Sequence, residues 1–155
     1  MKKALLLLLS FGILISCNND DEGSVLDELN FLIFGHYYGL CGGEGCIETY
    51  KLTGSKLFED TIDDYSGQEM NFVELDKALF EAVKDLPDFL PQELLNSDET
   101  FIGCPDCADG GGLFILYSQN GKGKSWRIDQ NKSQVPESLH NFIDKVNEKI
   151  ALINN

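Results

Sequence analysis

Five cysteines are the residues of this 155-residue chain whose type and spacing could do chemistry. Cys17 stands alone near the amino end, and the other four form two close pairs, Cys41 with Cys46 and Cys104 with Cys107. Thiols at these spacings can form disulfides, hold a metal ion as thiolates or take part in redox catalysis. The choice depends on where the chain folds, because thiols stay reduced in the cytosol and pair outside it.

The first 16 residues indicate that the chain is exported. Lys2 and Lys3 precede an almost unbroken apolar run from Ala4 to Ile15. A basic start and a short apolar run are typical of a secretory signal peptide, and a membrane-spanning helix would need roughly 20 apolar residues. We therefore expect residues 1–16 to be a cleaved signal peptide.

The end of this leader, Leu14-Ile15-Ser16-Cys17, resembles the lipobox of bacterial lipoproteins. The resemblance implies that the Cys17 sulfur carries a diacylglyceryl group and becomes the first, acylated residue of the mature chain. Two or more acyl chains hold a protein stably in a bilayer, at about 0.8 kcal/mol per buried methylene. The following Asn18–Glu22 resembles the export signal of surface lipoproteins of the Bacteroidota. This implies an outer-membrane anchor, with the domain facing either the periplasm or the cell exterior.

The charge balance excludes some partners. The chain has 12 basic and 26 acidic residues, and loss of Lys2 and Lys3 with the leader leaves ten against 26, a formal charge of −16. Such a chain repels nucleic-acid backbones and anionic headgroups, so the predicted link to the membrane is the covalent lipid. A basic protein partner would be attracted. We expect residues 17–28 to be an acidic flexible tether and residues 29–155 a single domain.

The pattern of apolar residues predicts the elements that position the cysteine pairs. Residues 31–38 and 113–118 are apolar on both faces, as in central strands. A hairpin is expected around Thr53-Gly54-Ser55, and an alternating strand near Trp126 after the turn at Asn120-Gly121. Helical spacing runs from Phe72 to Leu86 and from Leu139 to Ile153, with one further helical turn at 91–95. Together these predict an α+β domain, an antiparallel sheet of about five strands with two main helices packed on it.

Export favours disulfides for the four remaining cysteines. Their spacing favours Cys41–Cys46 and Cys104–Cys107, although three pairings exist. Cys104-Pro105-Asp106-Cys107 also resembles the cysteine-proline turns of zinc ribbons and rubredoxins, which implies a structural zinc held by the four thiolates; Ala108 stands where those turns usually have glycine. A redox site of the thioredoxin type is a third alternative, but there a helix follows the motif. Here Gly110-Gly111-Gly112 indicates a flexible connection.

Other candidate chemistry is sparse. His36 and His140 are expected to be packing or surface residues, and Glu44 and Glu48 surface acids. The acids from Asp60 to Glu69 do not match a calcium-binding loop. The chain resembles the small lipoproteins common in the Bacteroidota, a resemblance that implies no particular activity. We expect a non-catalytic binding or structural module; the alternatives are a zinc- or thiol-dependent protein and an inhibitor or capture protein for a basic secreted partner.

Overall fold

The structure, a computed structural model, describes residues 28–41 and 44–155. The predicted signal peptide, Cys17 and all of the predicted tether except Glu28 lie outside the described residues. Within the two described ranges, no helix combines the length and the apolar character needed to cross a membrane.

The described residues form one seven-stranded sheet with three α-helices. The strands are β1 (Phe31–Tyr37), β2 (Ile47–Thr53), β3 (Leu57–Asp60), β4 (Phe72–Glu74), β5 (Phe101–Ile102), β6 (Gly112–Gln119) and β7 (Lys122–Asp129). Their spatial order is β4-β3-β2-β1-β6-β7-β5. All neighbours are antiparallel except β5, which runs parallel to β7. The helices are α1 (Lys77–Val83), α2 (Gln92–Asn96) and α3 (His140–Ile153).

The centre of the sheet is where the sequence predicts it. β1 lies between β2 and β6, and both of its faces are largely buried. Thr53-Gly54-Ser55 joins β2 to β3, and Asn120 and Gly121 turn the chain between β6 and β7 with positive φ angles of 52° and 74°. Positive φ at both central positions is what a tight hairpin turn with the twist of the strands requires.

The hydrophobic core lies between one face of the sheet and the helices. From the sheet it takes alternate residues of the strands, among them Phe34, Ile115 and Trp126. From the helical side it takes Leu86, Leu94 and four residues of α3, namely Phe142, Ile143, Val146 and Ile150. The spacing of these α3 residues is the helical stripe that the sequence shows, so the stripe from Leu139 to Ile153 is confirmed.

The α+β class is confirmed, but the count of about five antiparallel strands is wrong. The predicted helix from Phe72 to Leu86 begins instead at Lys77, because Asp76 has a non-helical ψ of 143° and its carbonyl oxygen accepts from Leu79 and Phe80. Phe72 to Glu74 pair with β3 as an edge strand. The second additional strand, β5, has two residues and is the sheet's one parallel neighbour among the described residues.

A buried lysine joins α3 to the end of α1. Lys149 is 5% exposed, and its Nζ donates to the carbonyl oxygen of Ala82 at 2.8 Å and lies 2.6 Å from the Asp85 carboxylate. This hydrogen bond from Lys149 is the main cause that lowers the pKa of Asp85. The lysine thus satisfies a carbonyl at the C-terminal end of a helix, where a positive charge is also favoured.

We expect Lys149→Met to lower the free energy of unfolding by about 1–2 kcal/mol, since it keeps the apolar stem but removes the bonds of the ammonium group. The matched control is Lys84→Met, which removes an exposed lysine paired with Glu81 and is expected to change stability by about 0.5 kcal/mol or less. Urea denaturation of both variants gives the comparison. Equal effects would show that the burial of Lys149 does not matter to stability.

Candidate functional site

Both cysteine pairs lie at the same end of the sheet. β1 ends at Tyr37, which pairs with Gly112 where β6 begins, and Gly112 pairs with Asp129 where β7 ends. The chain enters β1 at Phe31, at the opposite end, beside Ser118. We call the loops 38–46, 61–71 and 103–111 the three-loop end; Gly42 and Gly43 of the first loop lie outside the described residues.

The four cysteines form two local disulfides. Cys41 is bonded to Cys46 and Cys104 to Cys107, with Cα–Cα distances of 5.5 Å and 5.4 Å. This confirms the predicted disulfide pairing. Cys107 begins a single 3₁₀ turn in which Ala108 and Asp109 have positive φ, so no α-helix follows the motif as it does in thioredoxin-type sites. Over the described ranges, no group of three or more histidine, cysteine and acidic side chains is arranged to hold a metal ion.

The two disulfides differ in access to solvent, and this predicts an order of reduction. Cys104 and Cys107 are both exposed, whereas in the other pair Cys41 is exposed and Cys46 is buried, which leaves one residue fewer open to attack. Exchange needs a thiolate to reach a sulfur atom, so we expect Cys104–Cys107 to be reduced at least about tenfold faster than Cys41–Cys46. Limited reduction followed by differential alkylation and peptide mass spectrometry measures both rates. Preferential labelling of Cys41 and Cys46 would contradict the prediction.

Asp106 ties the three loops together. Its carboxylate accepts a hydrogen bond from the Tyr65 hydroxyl at 3.0 Å, from the Gly111 amide at 3.1 Å and from the Gly39 amide. The bond from Gly39 is the largest of the causes that lower the pKa of Asp106. The residue adopts a positive φ of 62°, a conformation that aspartate tolerates better than most residues. One side chain therefore contacts a residue of each of the three loops.

An arginine holds the second loop against the sheet. The Arg127 guanidinium donates to the carbonyl oxygens of Tyr65 at 3.1 Å and Ser66 at 3.0 Å. It lies 4.7 Å from the ring centre of Tyr37 and 5.5 Å from that of Tyr65, which are distances of cation–π contact. Burial raises the pKa of Tyr37, and the hydrogen bond with Arg127 partly opposes that rise. The sheet face away from the helices is thus covered here by loop 61–71.

Loop 61–71 is ordered by one acid at its base and one acid within it. Asp60, buried at the end of β3, accepts from the amides of Ile62 at 3.3 Å and Asn71 at 2.6 Å, which closes the loop at its base. Asp64 accepts from the hydroxyl and amide of Ser66 and from the amide of Gln68. These donors, above all Ser66, lower the pKa of Asp64 to about 2. The acidic stretch is therefore an ordered loop in which carboxylates replace missing backbone partners.

The third loop is fixed to the sheet by Asp129 and by close packing of glycines. The buried Asp129 carboxylate accepts from the Cys104 amide at 3.0 Å and from the Asn131 amide at 2.8 Å. Gly111 has a φ of 70°, and the ring of Tyr38 lies where its Cβ would be. Gly112 begins β6, and a Cβ atom there would lie 2.6 Å from the Tyr37 hydroxyl, so these two glycines permit a close approach of packed groups. That residues 110–112 form a flexible connection stays a prediction.

The other described candidates, His36, His140 and Glu48, take no part in the hydrogen bonds of Asp106 and Arg127, although the His36 ring lies 5.4 Å from that of Tyr38. His36 is partly buried in β1, and its Nε2 has no hydrogen-bond partner among the described residues. His140 begins α3, with Nε2 2.9 Å from the Lys132 carbonyl oxygen. Glu48 accepts hydrogen bonds from Tyr50 and Asn154. The side chain of Glu44 lies outside the described residues.

The sequence predictions missed Asp106, Tyr65 and Arg127. Asp106 had a signal, since an acid between two cysteines in a tight turn is a candidate to accept backbone amides. Tyr65 and Arg127 had none, because they meet through the folding of loop 61–71 over β7. Neither described histidine belongs to the three-loop end, and its four cysteines are oxidised. The arrangement suits binding through a rigid surface of loops.

No protein-family model matches the chain, and no curated protein matches it.

Proposed function

We propose that this chain is a lipid-anchored, exported lipoprotein whose domain is a non-catalytic binding module, with the three-loop end as its recognition surface. The observation that carries the proposal is the joint contact of Asp106 with Gly39, Gly111 and Tyr65, which fixes three otherwise separate loops in one arrangement. Loops held by a rigid scaffold are where proteins commonly place binding residues.

The position of the tether supports this assignment. The chain enters β1 at Phe31 and leaves it at Tyr37, beside the three-loop end. At about 3.3 Å per residue, the strand separates the two ends of the sheet by about 20 Å. An anchor at Cys17 would therefore be attached at the end of the domain opposite the three-loop end, which leaves that end free to meet a partner.

Rigidity supports binding on thermodynamic grounds. Each disulfide closes a loop of a few residues. Asp129 holds loop 103–111 to the sheet by a hydrogen bond, and Arg127 holds loop 61–71 in the same way. A surface ordered before it meets its partner loses less conformational entropy on binding.

We expect Cys17→Ser to move the protein from the membrane fraction to the soluble extracytoplasmic fraction, because the acylated sulfur is the proposed anchor. Cell fractionation followed by intact-mass measurement tests this. The wild-type chain should begin at Cys17 and carry acyl mass. A wild-type protein that begins at Met1 without acyl mass would overturn the anchor.

The same mass measurement addresses the zinc alternative. Two disulfides lower the mass of the reduced chain by about four hydrogens. Stoichiometric zinc together with four alkylatable thiols would instead support the four-thiolate site. The disulfides of the structure therefore predict full resistance to alkylation without reductant.

The recognition surface is tested by photocross-linking in cells. A photoreactive phenylalanine replaces Leu40 at the three-loop end in one variant and Phe101 on β5 in another. Both residues are well exposed, at 81% and 64%. We expect specific protein adducts from position 40 and none from position 101. Equal adducts from both positions, or none from position 40, would contradict the proposal.

A further inference from the structure

An open groove of about 350 Å³ lies at the three-loop end. Its lining residues are Tyr38, Leu40, Cys41, Gly45 and Asp109. Leu40 is 81% exposed, although the adjacent Cys41 is bonded to the buried Cys46. The residue just before a covalently closed loop thus presents an apolar side chain to solvent. Burial of this side chain by another molecule would be favourable, since removal of apolar surface from water drives association.

The charges around the groove identify the kind of molecule that fits it. The described side chains of the three loops include five acids and no lysine or arginine; the acids are Asp63, Asp64, Glu69, Asp106 and Asp109. The hairpins at the opposite end of the sheet, 53–57 and 119–124, contain Lys56, Lys122 and Lys124 and no acid. Lys56 is paired there with Glu74, at 2.8 Å, whereas the three loops have no lysine or arginine beside their acids.

Arg127 does not cancel the negative charge of the three loops. Arg127 lies on the sheet face against Tyr37 and Tyr65 and donates to two carbonyl oxygens, and it does not line the groove. Asp109, by contrast, does line the groove and is exposed. A cationic occupant is attracted and an anionic one is repelled, which gives both faster encounter and selectivity.

From this geometry we propose that the groove binds a cationic protein segment that presents an apolar side chain beside lysine or arginine. The apolar side chain packs on Leu40 and Tyr38, and the flanking cation lies near the Asp109 carboxylate. The inference rests on the proposed function, since it names the partner chemistry of the same surface. It makes the lipoprotein a capture or inhibitor protein for basic extracytoplasmic proteins.

The test uses the full mature lipoprotein in nanodiscs of neutral lipid, with three fluorescent peptides as probes. The peptides are Ser-Lys-Leu-Lys-Ser, Ser-Lys-Ser-Lys-Ser and Ser-Glu-Leu-Glu-Ser, and empty nanodiscs are the background. We expect the first to bind about tenfold more tightly than the second, because it adds the burial of a leucine. The third should not bind, and high salt should weaken the first, because added ions screen charge contacts.

Two variants locate the binding on the domain. Leu40→Ser should reduce the affinity for the lysine–leucine peptide to that for the lysine–serine peptide. Phe101→Ser, which removes another exposed apolar side chain, should leave it unchanged. Asp109→Asn should weaken both cationic peptides by about threefold.

Each outcome decides the inference. Equal binding of the two cationic peptides, or a preference for leucine that survives Leu40→Ser, overturns it. If cross-links form at position 40 while the peptides show no preference, the partner chemistry is wrong and the binding surface stands. If position 40 gives neither cross-links nor peptide preference, both proposals fail.

Discussion

Replacement of Gly35 by alanine is expected to lower the free energy of unfolding by about 3–4 kcal/mol, and the melting temperature by about 10–15 °C. Gly35 lies in β1 at the centre of the sheet and is opposite Thr49 in β2. A Cβ atom there would overlap the carbonyl oxygen of Glu48 and lie 2.9 Å from the Cα atom of Thr49. Both are backbone atoms, so relief requires that β2 shift relative to β1.

The matched control is Gly45→Ala, because a Cβ atom at Gly45 would meet nothing within 4 Å. We expect this variant to change stability by about 0.5 kcal/mol or less, as most exposed substitutions do. Thermal unfolding followed by circular dichroism compares the two. If Gly35→Ala unfolds at the temperature of Gly45→Ala, the close approach of β1 and β2 is not as the structure places it.

The elements that the sequence predicts well are those with a long and regular apolar pattern. α3 repeats its apolar residues over 14 residues, and β1 and β6 are apolar on both faces because they lie at the centre of the sheet. The hairpin turns carry their own chemistry, since Asn120-Gly121 supplies two residues with positive φ. In each case the local sequence and the tertiary environment favour the same structure.

The two additional strands had no such pattern. β4 has three residues and β5 has two, which is too short for an alternation to show. Phe72 and Leu75 also fit a helical spacing with the residues after them, and the start of the helix is decided by Asp76. Edge strands of this kind exist because a neighbouring strand offers free backbone groups, which a single sequence window does not reveal.

The candidate site also has one part that the sequence predicts and one part that it does not. The disulfide pairs follow from short spacing and export, and both are confirmed. The joining of the loops does not follow from spacing, because Tyr65 and Asp106 are 41 residues apart, and Arg127 and Tyr65 are 62 apart. Such contacts are decided by which sheet face loop 61–71 covers, and no local signal carries that information.

Asp129→Ala is expected to lower the free energy of unfolding by about 3 kcal/mol, because it removes a buried carboxylate that accepts hydrogen bonds from two backbone amides. The amides are those of Cys104 and Asn131, at 3.0 Å and 2.8 Å from the two carboxylate oxygens. The site is also tight, since a Cβ atom at Gly103 would lie 2.7 Å from that of Asp129.

The variant should also speed reduction of the Cys104–Cys107 disulfide, since the Cys104 amide loses its hydrogen bond to Asp129 at the end of β7. Asp129→Asn keeps the shape and one acceptor oxygen, so we expect about half the loss in stability. Asp109→Asn removes the charge of an exposed acid in the same loop and keeps a residue that tolerates the positive φ of 57°, so it should leave both stability and reduction rate unchanged. Denaturant unfolding and alkylation kinetics give the two readouts. A large loss of stability with an unchanged reduction rate would show that Asp129 supports the sheet without fixing the loop, and that the rigidity of the three-loop end depends on Asp106 and the disulfides instead.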